Sequence, residues 1–431
     1  MDDMKELARL VSGLKEHIDA CTRCGMCLSV CPVFTETGRE PDVARGKLAV
    51  LDGLIQKLFK NPKGVSDRLS RCVLCGTCAF NCPGNVNILE IFIKVRVIIS
   101  GFIRLPWYKK VIFRWLLASP GIFNFLVKRL RPIQKIFIKP ASHYIGTSCA
   151  RFFSPILKQR HFIPLAPTSF HELTPSIDTQ PGTSGIKVAF FPGCIVDNFF
   201  PHVAKSALSV FKHHQVGVFL PEGLGCCGIP ALTEGDRITF KRLMHVNLEK
   251  LDASEFDILI TPCATCTYTI KKLWPLFITD EMEKIKHRVN KLSSITMDIN
   301  EFLVKHIGFQ SNKSSSHTSN IISYHDPCHL KKSLNVSLEP RIVLQANPKY
   351  TFKEMKDADL CCGMGGSFNL TNYEISACIG ERKRMNILHS GCDVLATGCP
   401  ACMIHISDTL SKAGDKIKVK HTIEIYSESL K

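Results

Sequence analysis

Between residues 194 and 402 the chain carries one cysteine pattern twice, with almost no insertion between the copies. Cys194, the pair Cys226-Cys227 followed by Gly228, then Cys263 and Cys266 form the first set. Cys328, the pair Cys361-Cys362 followed by Gly363, then Cys399 and Cys402 form the second, displaced by 134 to 136 residues at every position. The C-terminal half is therefore an internal duplication. Short β-rich runs end in these cysteines: Val188-Ala189-Phe190-Phe191 before Cys194, Ile258-Leu259-Ile260 before Cys263, Ile321-Ile322-Ser323-Tyr324 before Cys328, and Val394-Leu395-Ala396 before Cys399. Helical stretches such as 235–250 and 372–388 separate them. Strand-helix alternation predicts parallel sheets whose ligand sites lie at strand C-termini, where the cysteines fall.

A second pattern occupies the N-terminal part. Cys21, Cys24, Cys27, Cys31 and Pro32 spell C-x2-C-x2-C-x3-C-P, and Cys72, Cys75, Cys78, Cys82 and Pro83 spell it again. This is the run of two-cluster ferredoxins, in which three thiolates wrap one [4Fe–4S] cube and the fourth crosses to the other. It predicts cluster A on Cys21, Cys24, Cys27 and Cys82, and cluster B on Cys72, Cys75, Cys78 and Cys31. Zinc has no use for four cysteines twice at identical spacing. Gly25 and Gly76 let backbone amides approach the sulfurs. Leu7, Leu10, Val11, Leu14 and Ile18 fall at helical spacing, as do Leu48, Leu51, Leu54, Ile55 and Leu58, and a third helix runs from Ile88 to Ile99. A helical ferredoxin domain follows.

In the duplicated half, five thiolates per copy exceed the four that a cubane or a structural zinc requires. Vicinal cysteines suit thiolates that bridge neighbouring irons, so each set predicts a multi-iron cluster, or a cubane beside a free reactive thiol. Zinc in one or both copies is the structural alternative. Gly223-Leu224-Gly225-Cys226-Cys227-Gly228 matches G-x-G-x-x-G, but the second copy reads Asp359-Leu360-Cys361-Cys362-Gly363, which argues against a dinucleotide loop. Gly46-Lys47 is followed by Leu48, so no phosphate-binding GK[ST] loop forms there. Of the 21 cysteines, Cys149, Cys378 and Cys392 stand outside both patterns and read as buried small hydrophobes. His325, Asp326 and His329 flank Cys328 and are candidates for hydrogen-bonding a cluster or relaying protons, with capping and support the plainer role.

Charge is concentrated in one place. The net charge is +17, yet residues 91–171 hold 14 Lys and Arg with no acidic residue. The segment also carries Phe92, Phe102, Trp107, Tyr108, Phe113, Trp115, Phe123, Phe125, Phe137, Phe152 and Phe153. Cations mixed with aromatic rings on short helices suit a membrane surface or an acidic partner subunit. No nucleic-acid motif accompanies them. The most apolar stretch, Val111 to Val127, contains Arg114 and a Pro120-Gly121 break, and is too short to span. The opening Met1-Asp2-Asp3-Met4-Lys5-Glu6 is acidic with no apolar run behind it. A reducing, cytoplasmic setting, peripheral on the inner face of the cell membrane, is the expectation. The fold class is α+β and multidomain: a helical ferredoxin domain over 1–100, a basic aromatic helical segment over 101–163, a Pro/Gly/Ser-rich linker over 164–186, and two duplicated α/β cysteine-rich domains over 187–310 and 320–431. The tract Ser311 to Ser316 reads as a further linker.

Together the paired Cys-Pro motifs and the two C-x(31–32)-CCG-x(34–35)-C-x-x-C units resemble the heterodisulfide-reductase-type, CCG-domain iron–sulfur subunits. That superfamily includes the iron–sulfur subunits of glycolate oxidase, D-lactate dehydrogenases and anaerobic glycerol-3-phosphate dehydrogenase. The stretch Cys31-Pro32-Val33-Phe34 through Gly38-Arg39-Glu40 to Arg45-Gly46-Lys47-Leu48 looks most like the glycolate oxidase subunit, and Tyr324-His325-Asp326-Pro327-Cys328-His329-Leu330 is similar to the same family. Val33 in place of the usual Thr and the longer basic middle segment depart from it. The resemblance implies electron transfer from an FAD-containing partner that oxidises a 2-hydroxy acid, onward to a quinone, a membrane subunit or another acceptor. It also implies non-cubane four-iron clusters at both five-cysteine sites. The alternatives it leaves are a heterodisulfide or disulfide reductase, with catalysis at one five-cysteine cluster, and the iron–sulfur subunit of an anaerobic glycerol-3-phosphate dehydrogenase.

Overall fold

A computed structural model of the chain describes residues 2–59, 61–152, 160–279, 281–308 and 319–430. The chain divides into two compact units. The first is Met1–Trp115 together with Gly228–Phe240 and Cys361–Glu381. The second is Leu116–Cys227, Lys241–Leu360 and Arg382–Lys431.

All regular structure described in the first unit is helical. The N-terminal apolar stripe breaks at Gly13-Leu14 into helices Asp2–Ser12 and Lys15–Asp19. Leu7, Val11, Leu14 and Ile18 are buried as the spacing predicts, whereas Leu10 faces solvent. Helix Ala44–Ile55 buries Leu48, Leu51 and Leu54, and Leu58 beyond its end is exposed. Helix Ile88–Ile103 is the apolar spine, burying Leu89, Ile91, Phe92, Ile93, Val95 and Ile99. Each such side chain contributes roughly 1.5–3 kcal/mol when fully buried.

The unit's two later segments come one from each copy, the first beginning just after the pair Cys226-Cys227 and the second beginning with the pair Cys361-Cys362. Both are built into its core. Arg96 donates to the carbonyls of Leu69 (2.6 Å), Cys72 (3.0 Å) and Thr233 (2.9 Å), and the Ser100 hydroxyl donates to the Gly235 carbonyl at 2.6 Å. Gly365, at φ +50°, lies so close to the Cys72 loop that a Cβ on it would come within 2.9 Å of the Val73 Cα.

The second unit holds every described strand. A small antiparallel sheet joins β1 (Ile138–Ser142), β2 (Thr147–Ala150) and β3 (His161–Phe162). A five-stranded sheet contains β4 (Ile177–Asp178), β5 (Lys187–Phe190), β6 (Gly217–Leu220), β7 (Ile258–Thr261) and β8 (Thr296–Asp298), in the order β4-β6-β5-β7-β8. A four-stranded sheet contains β9 (Ile321–His325), β10 (Thr351–Phe352), β11 (Val394–Thr397) and β12 (Lys418–His421), in the order β10-β9-β11-β12. Apart from the antiparallel edge strand β4, every pair in these two sheets is parallel. The order β6-β5-β7-β8 repeats as β10-β9-β11-β12, so the duplication is one of topology. The core of the first copy is a row of edge-to-face rings, Phe170, Phe190, Phe211 and Phe302, spaced 5.7–6.1 Å between centroids.

Two expectations about the middle of the chain change. The stretch 164–186 is packed structure as well as connection. Ser169 and Glu172 form a capping box on helix Phe170–Leu173, Phe170 is buried, and Ile177 pairs with Leu220. Its Pro/Gly/Ser composition conceals that pairing because the partner strand is about forty residues away. The basic segment is helical only as far as helix Pro120–Phe137, after which it becomes the sheet β1-β2-β3. The tract Ser311 to Ser316 lies outside the described residues. Among the described residues no single helix is long and apolar enough to cross a membrane.

Candidate metal centres

The two C-x2-C-x2-C-x3-C-P runs, both in the first unit, fold alike. Gly25 and Gly76 take left-handed backbone (φ +89° and +74°) and start the short helices Met26–Val30 and Thr77–Phe80. Cys31 caps helix Pro32–Thr37, its sulfur accepting from the Phe34 amide at 3.5 Å. One cavity is lined by Cys21, Cys24, Cys27 and Cys82, with Cys78 also on its wall. A second is lined by Cys31, Cys72, Cys75 and Cys78. Each loop's fourth cysteine therefore sits with the other loop's three. Burial pushes the Cys31 thiol up to about 12 and the Cys78 thiol well above its ordinary value. Protons are thus held tightly unless a metal cation replaces them.

Lys47 lines the second cavity and is 1% exposed, with its ammonium donating to the Asp42 carbonyl. Burial lowers its pKa, while Cys72 and Cys31 oppose that shift. A buried cation beside four thiols suits an anionic cluster, whose charge it offsets. Spacing alone gave no sign of this role, because Lys47 reads only as part of a failed phosphate loop.

In the second unit Cys194 opens helix Gly193–Phe199 directly after β5, and Cys263 and Cys266 follow β7. The five thiols of the first copy are brought into one network. Cys194 and Cys226 are 3.6 Å apart, Cys226 also bonds Cys227, and Cys266 bonds both Cys227 and Cys263. The bonds to Cys194 and Cys227, with burial, push the Cys226 thiol well up, and the bonds to Cys227 and Cys263 do the same to Cys266. The pair's backbone is pinned: Asn247 donates to the Cys226 carbonyl at 2.9 Å, and the buried Trp274 indole donates to the Cys227 carbonyl at 3.0 Å. Gly193, at φ +76°, passes so close that a Cβ would sit 3.0 Å from the Cys266 sulfur. Five soft, converging sulfur donors fit an iron–sulfur cluster and exceed what tetrahedral zinc uses.

The second copy divides between the units. Cys328, Cys399 and Cys402 follow β9 and β11 in the second unit, and Cys361-Cys362 belong to the first. There the Gly363 amide donates to the Cys361 sulfur at 3.3 Å, and Gly363 takes φ +95°, matching φ +96° at Gly228 after the first pair. The C-x-x-C loops of the two copies abut. Ala264 N–H donates to the Gly398 carbonyl at 3.1 Å, and Thr265 Oγ1 lies 3.6 Å from Cys399 Sγ. Hydrogen bonds from Cys263 and Cys402 hold the Cys399 thiol well down.

The three residues around Cys328 take different parts. Asp326 is clamped by Arg341 through two bonds of 2.9 and 2.8 Å, an anchor for the strand end rather than a free acid. His329 stacks on Tyr268 (4.7 Å) and reaches Thr265 Oγ1 at 3.3 Å, and Thr265 in turn touches Cys399. His325 is buried, with one ring nitrogen within 4.8 Å of the Cys402 sulfur, and burial lowers its pKa to about 3. Of the three cysteines outside the patterns, Cys392 is buried as expected, Cys149 is half-buried and Cys378 is exposed on helix Tyr373–Ser390.

A cavity of about 200 Å³ adjoins the first five-cysteine site, lined by Cys194 and Cys226, by His171 and Asp197, and by Pro120, Phe123 and Asn124. His171 and Asp197 form a dyad, Nδ1 to carboxylate at 2.7 and 2.9 Å, with the His171 amide on the same carboxylate at 2.9 Å. No motif announces this pair, because its members are 26 residues apart and meet only through the capping-box turn.

Paired ferredoxin loops on a helical unit and a doubled α/β scaffold with five sulfurs at strand ends define an iron–sulfur protein of the cysteine-rich type. The family description "4Fe-4S dicluster domain" matches residues 17–86, and "Cysteine-rich domain" (CCG) matches residues 188–271 and 322–407. The chain belongs to this CCG-domain iron–sulfur family. It is 30% identical over 95% of its length to an uncharacterized iron–sulfur protein of Methanococcus maripaludis, covering 70% of that protein. It is 25% identical to a probable glycolate oxidase iron–sulfur subunit of Bacillus subtilis, over 100% of this chain and 99% of the relative. It is also 25% identical to one of the subunits of the dihydromethanophenazine:CoB–CoM heterodisulfide reductase of Methanosarcina barkeri, over 96% of this chain and 94% of the relative.

Proposed function

We propose that this chain is the electron-transfer subunit of a flavin-dependent 2-hydroxy-acid dehydrogenase complex of the glycolate or D-lactate type. Electrons enter from an FAD-containing partner and leave to a quinone or another acceptor at the inner face of the cell membrane. Cys21, Cys24, Cys27 and Cys82 would hold one [4Fe–4S] cube, and Cys31, Cys72, Cys75 and Cys78 the other. Each five-cysteine set would hold a non-cubane four-iron cluster. The bound clusters supply one-electron transfer.

The observation that carries this reading is the make-up of the first unit. The segment after the first cysteine pair and the segment that begins with the second pack into the helical core, with Arg96 joining the Cys72 loop to Thr233 and Gly365 lying against Val73. That arrangement suits relay between centres. The end-to-end match to a glycolate oxidase iron–sulfur subunit supports the substrate class.

Anaerobic purification with iron, zinc and sulfide analysis tests it first: about 16 irons per chain are expected for four four-iron clusters. Mixing with a flavin hydroxy-acid dehydrogenase subunit and its substrate is then expected to reduce the EPR-active centres. Zinc at the five-cysteine sites, or failure of every such flavoprotein to reduce the chain, overturns the proposal. The cavity and His171–Asp197 dyad beside Cys194 favour one second reading, disulfide reduction at that site. A disulfide that perturbs the EPR signals with no flavoprotein present supports that reading instead.

A further inference from the structure

Helix Pro120–Phe137 buries Val127 but turns most of its other apolar side chains outward. In a helix on the surface of a water-soluble protein the apolar stripe faces the core and the polar residues face solvent. Here Arg131 is 6% exposed and is tied inward to the Glu172 carboxylate and, at 3.2 Å, to Asn198. Gln134 also points inward, exchanging two 3.0 Å hydrogen bonds with the Leu165 backbone. The outward face carries Ile122, Phe125, Leu130, Ile133, Ile136 and Phe137, each 42–59% exposed. Together with Leu126 (37% exposed) these positions follow i, i+3, i+4 spacing and form one largely apolar ridge, on which Arg129, four residues from both Phe125 and Ile133, is the cation.

The surroundings identify what covers the ridge. Arg129 lies over the Phe125 ring (5.2 Å), and exposed Lys128 and Lys135 flank the ridge, Lys128 also pairing with Glu172 at 3.3 Å. Residues 91–171 supply 14 cations and no acid. An apolar ridge edged by cations matches the acyl-headgroup boundary of a bilayer with anionic lipids, where side chains bury a few ångströms and Lys and Arg meet phosphates.

We propose that helix Pro120–Phe137 is an interfacial helix that docks the protein on an anionic lipid surface through this ridge. The inference rests on the peripheral placement proposed above and adds the element and the lipid chemistry that produce it. The helix's first residues, Pro120, Phe123 and Asn124, also line the cavity beside Cys194, so docking brings the wall of that cavity to the lipid surface.

The test is flotation of the anaerobically purified full chain with vesicles of phosphatidylcholine alone or mixed with phosphatidylglycerol. Binding to the mixed vesicles is expected, at least about tenfold stronger than to phosphatidylcholine and weakened by salt. The exposed-site pair Ile133→Glu and Phe137→Glu is expected to cut partitioning at least tenfold with iron content unchanged. Lys135→Gln is expected to weaken binding to anionic vesicles only. No binding, or binding that the Glu pair leaves intact, overturns the proposal. So does a concentration-dependent dimer, or a partner subunit lost with the Glu pair, when vesicles do not bind. Reduction by a flavoprotein in solution does not need the ridge, so a failure here leaves the electron-transfer reading standing.

Discussion

The two copies of the cysteine-rich domain share a strand order and have diverged in what surrounds the cysteine after the first strand. In the first copy that cysteine follows Phe191-Pro192-Gly193, and Asp197 stands three residues beyond it, paired with His171 beside a cavity. In the second it follows His325-Asp326-Pro327, and the residue three beyond is Lys331, which lies 3.3 Å from Asp359 and 3.8 Å from Asp326. One copy thus places an acid-histidine pair against open space, and the other locks its charges into Arg341 and Lys331. Duplication conserved the strand order that presents the cysteines, while among the described residues the His171–Asp197 pair beside a cavity stands at the first copy alone. On the proposed electron-transfer reading, the first site would exchange with something outside the chain and the second would pass electrons within it.

The largest effect that bears on this contrast is on metal content. Cys263→Ser and Cys399→Ser each should remove about four irons per chain if both copies hold four-iron clusters. Loss of zinc rather than iron from one variant would mean that the copies differ in metal as well as surroundings. Next in size is proton delivery. With the chain reduced chemically and reoxidised in stopped flow, His171→Gln should slow a two-electron, two-proton quinone about 100-fold, the usual contribution of a general acid. Oxidation by a one-electron dye should be unchanged. Lys331→Gln should alter neither rate, and an equal loss from that variant would erase the asymmetry.

Local spacing made the cysteine groups that the fold gathers legible, because a loop that turns tightly brings together cysteines two or three residues apart. The repeated offset, with β-rich runs ending in cysteine, was enough to give parallel sheets with sites at strand ends. Groups that meet through the fold were not legible. Lys47 becomes a buried cation only when helix Ala44–Ile55 packs beside Cys31 and Cys72. His171 meets Asp197 only after residues 164–186, which look like a linker, fold against β6. Residues 120–137 were legible as basic and aromatic. Which side faced out was not, since an apolar stripe looks the same whether it covers a core or a membrane.

The finest contrast between the copies lies at the ends of β8 and β12. Each strand's last residue caps the next helix: Asp298 accepts from the Asn300 amide at 2.8 Å, and His421 accepts from the Ile423 amide at 3.2 Å. Both are fully buried, and burial drives both towards the neutral form, which means opposite pKa shifts. Asp298 is pushed up to about 7, and His421 is lowered to about 4. For Asp298 the folded protein binds the proton more readily than the unfolded chain, so stability rises as pH falls from about 7 towards 4. For His421 the unfolded chain takes the proton first, so stability falls as pH drops from about 6.5 towards 4. The two slopes oppose each other. Asp298→Asn, which keeps the capping oxygen, should stabilise at pH 8 by a few kcal/mol and do little at pH 4. His421→Asn should do little at pH 8 and stabilise by about 2 kcal/mol at pH 5. Urea titrations of the anaerobic holoprotein and both variants at pH 5, 6.5 and 8 check this. Parallel pH profiles for the two variants would show that the caps are not the opposed pair that the duplicated scaffold makes of them.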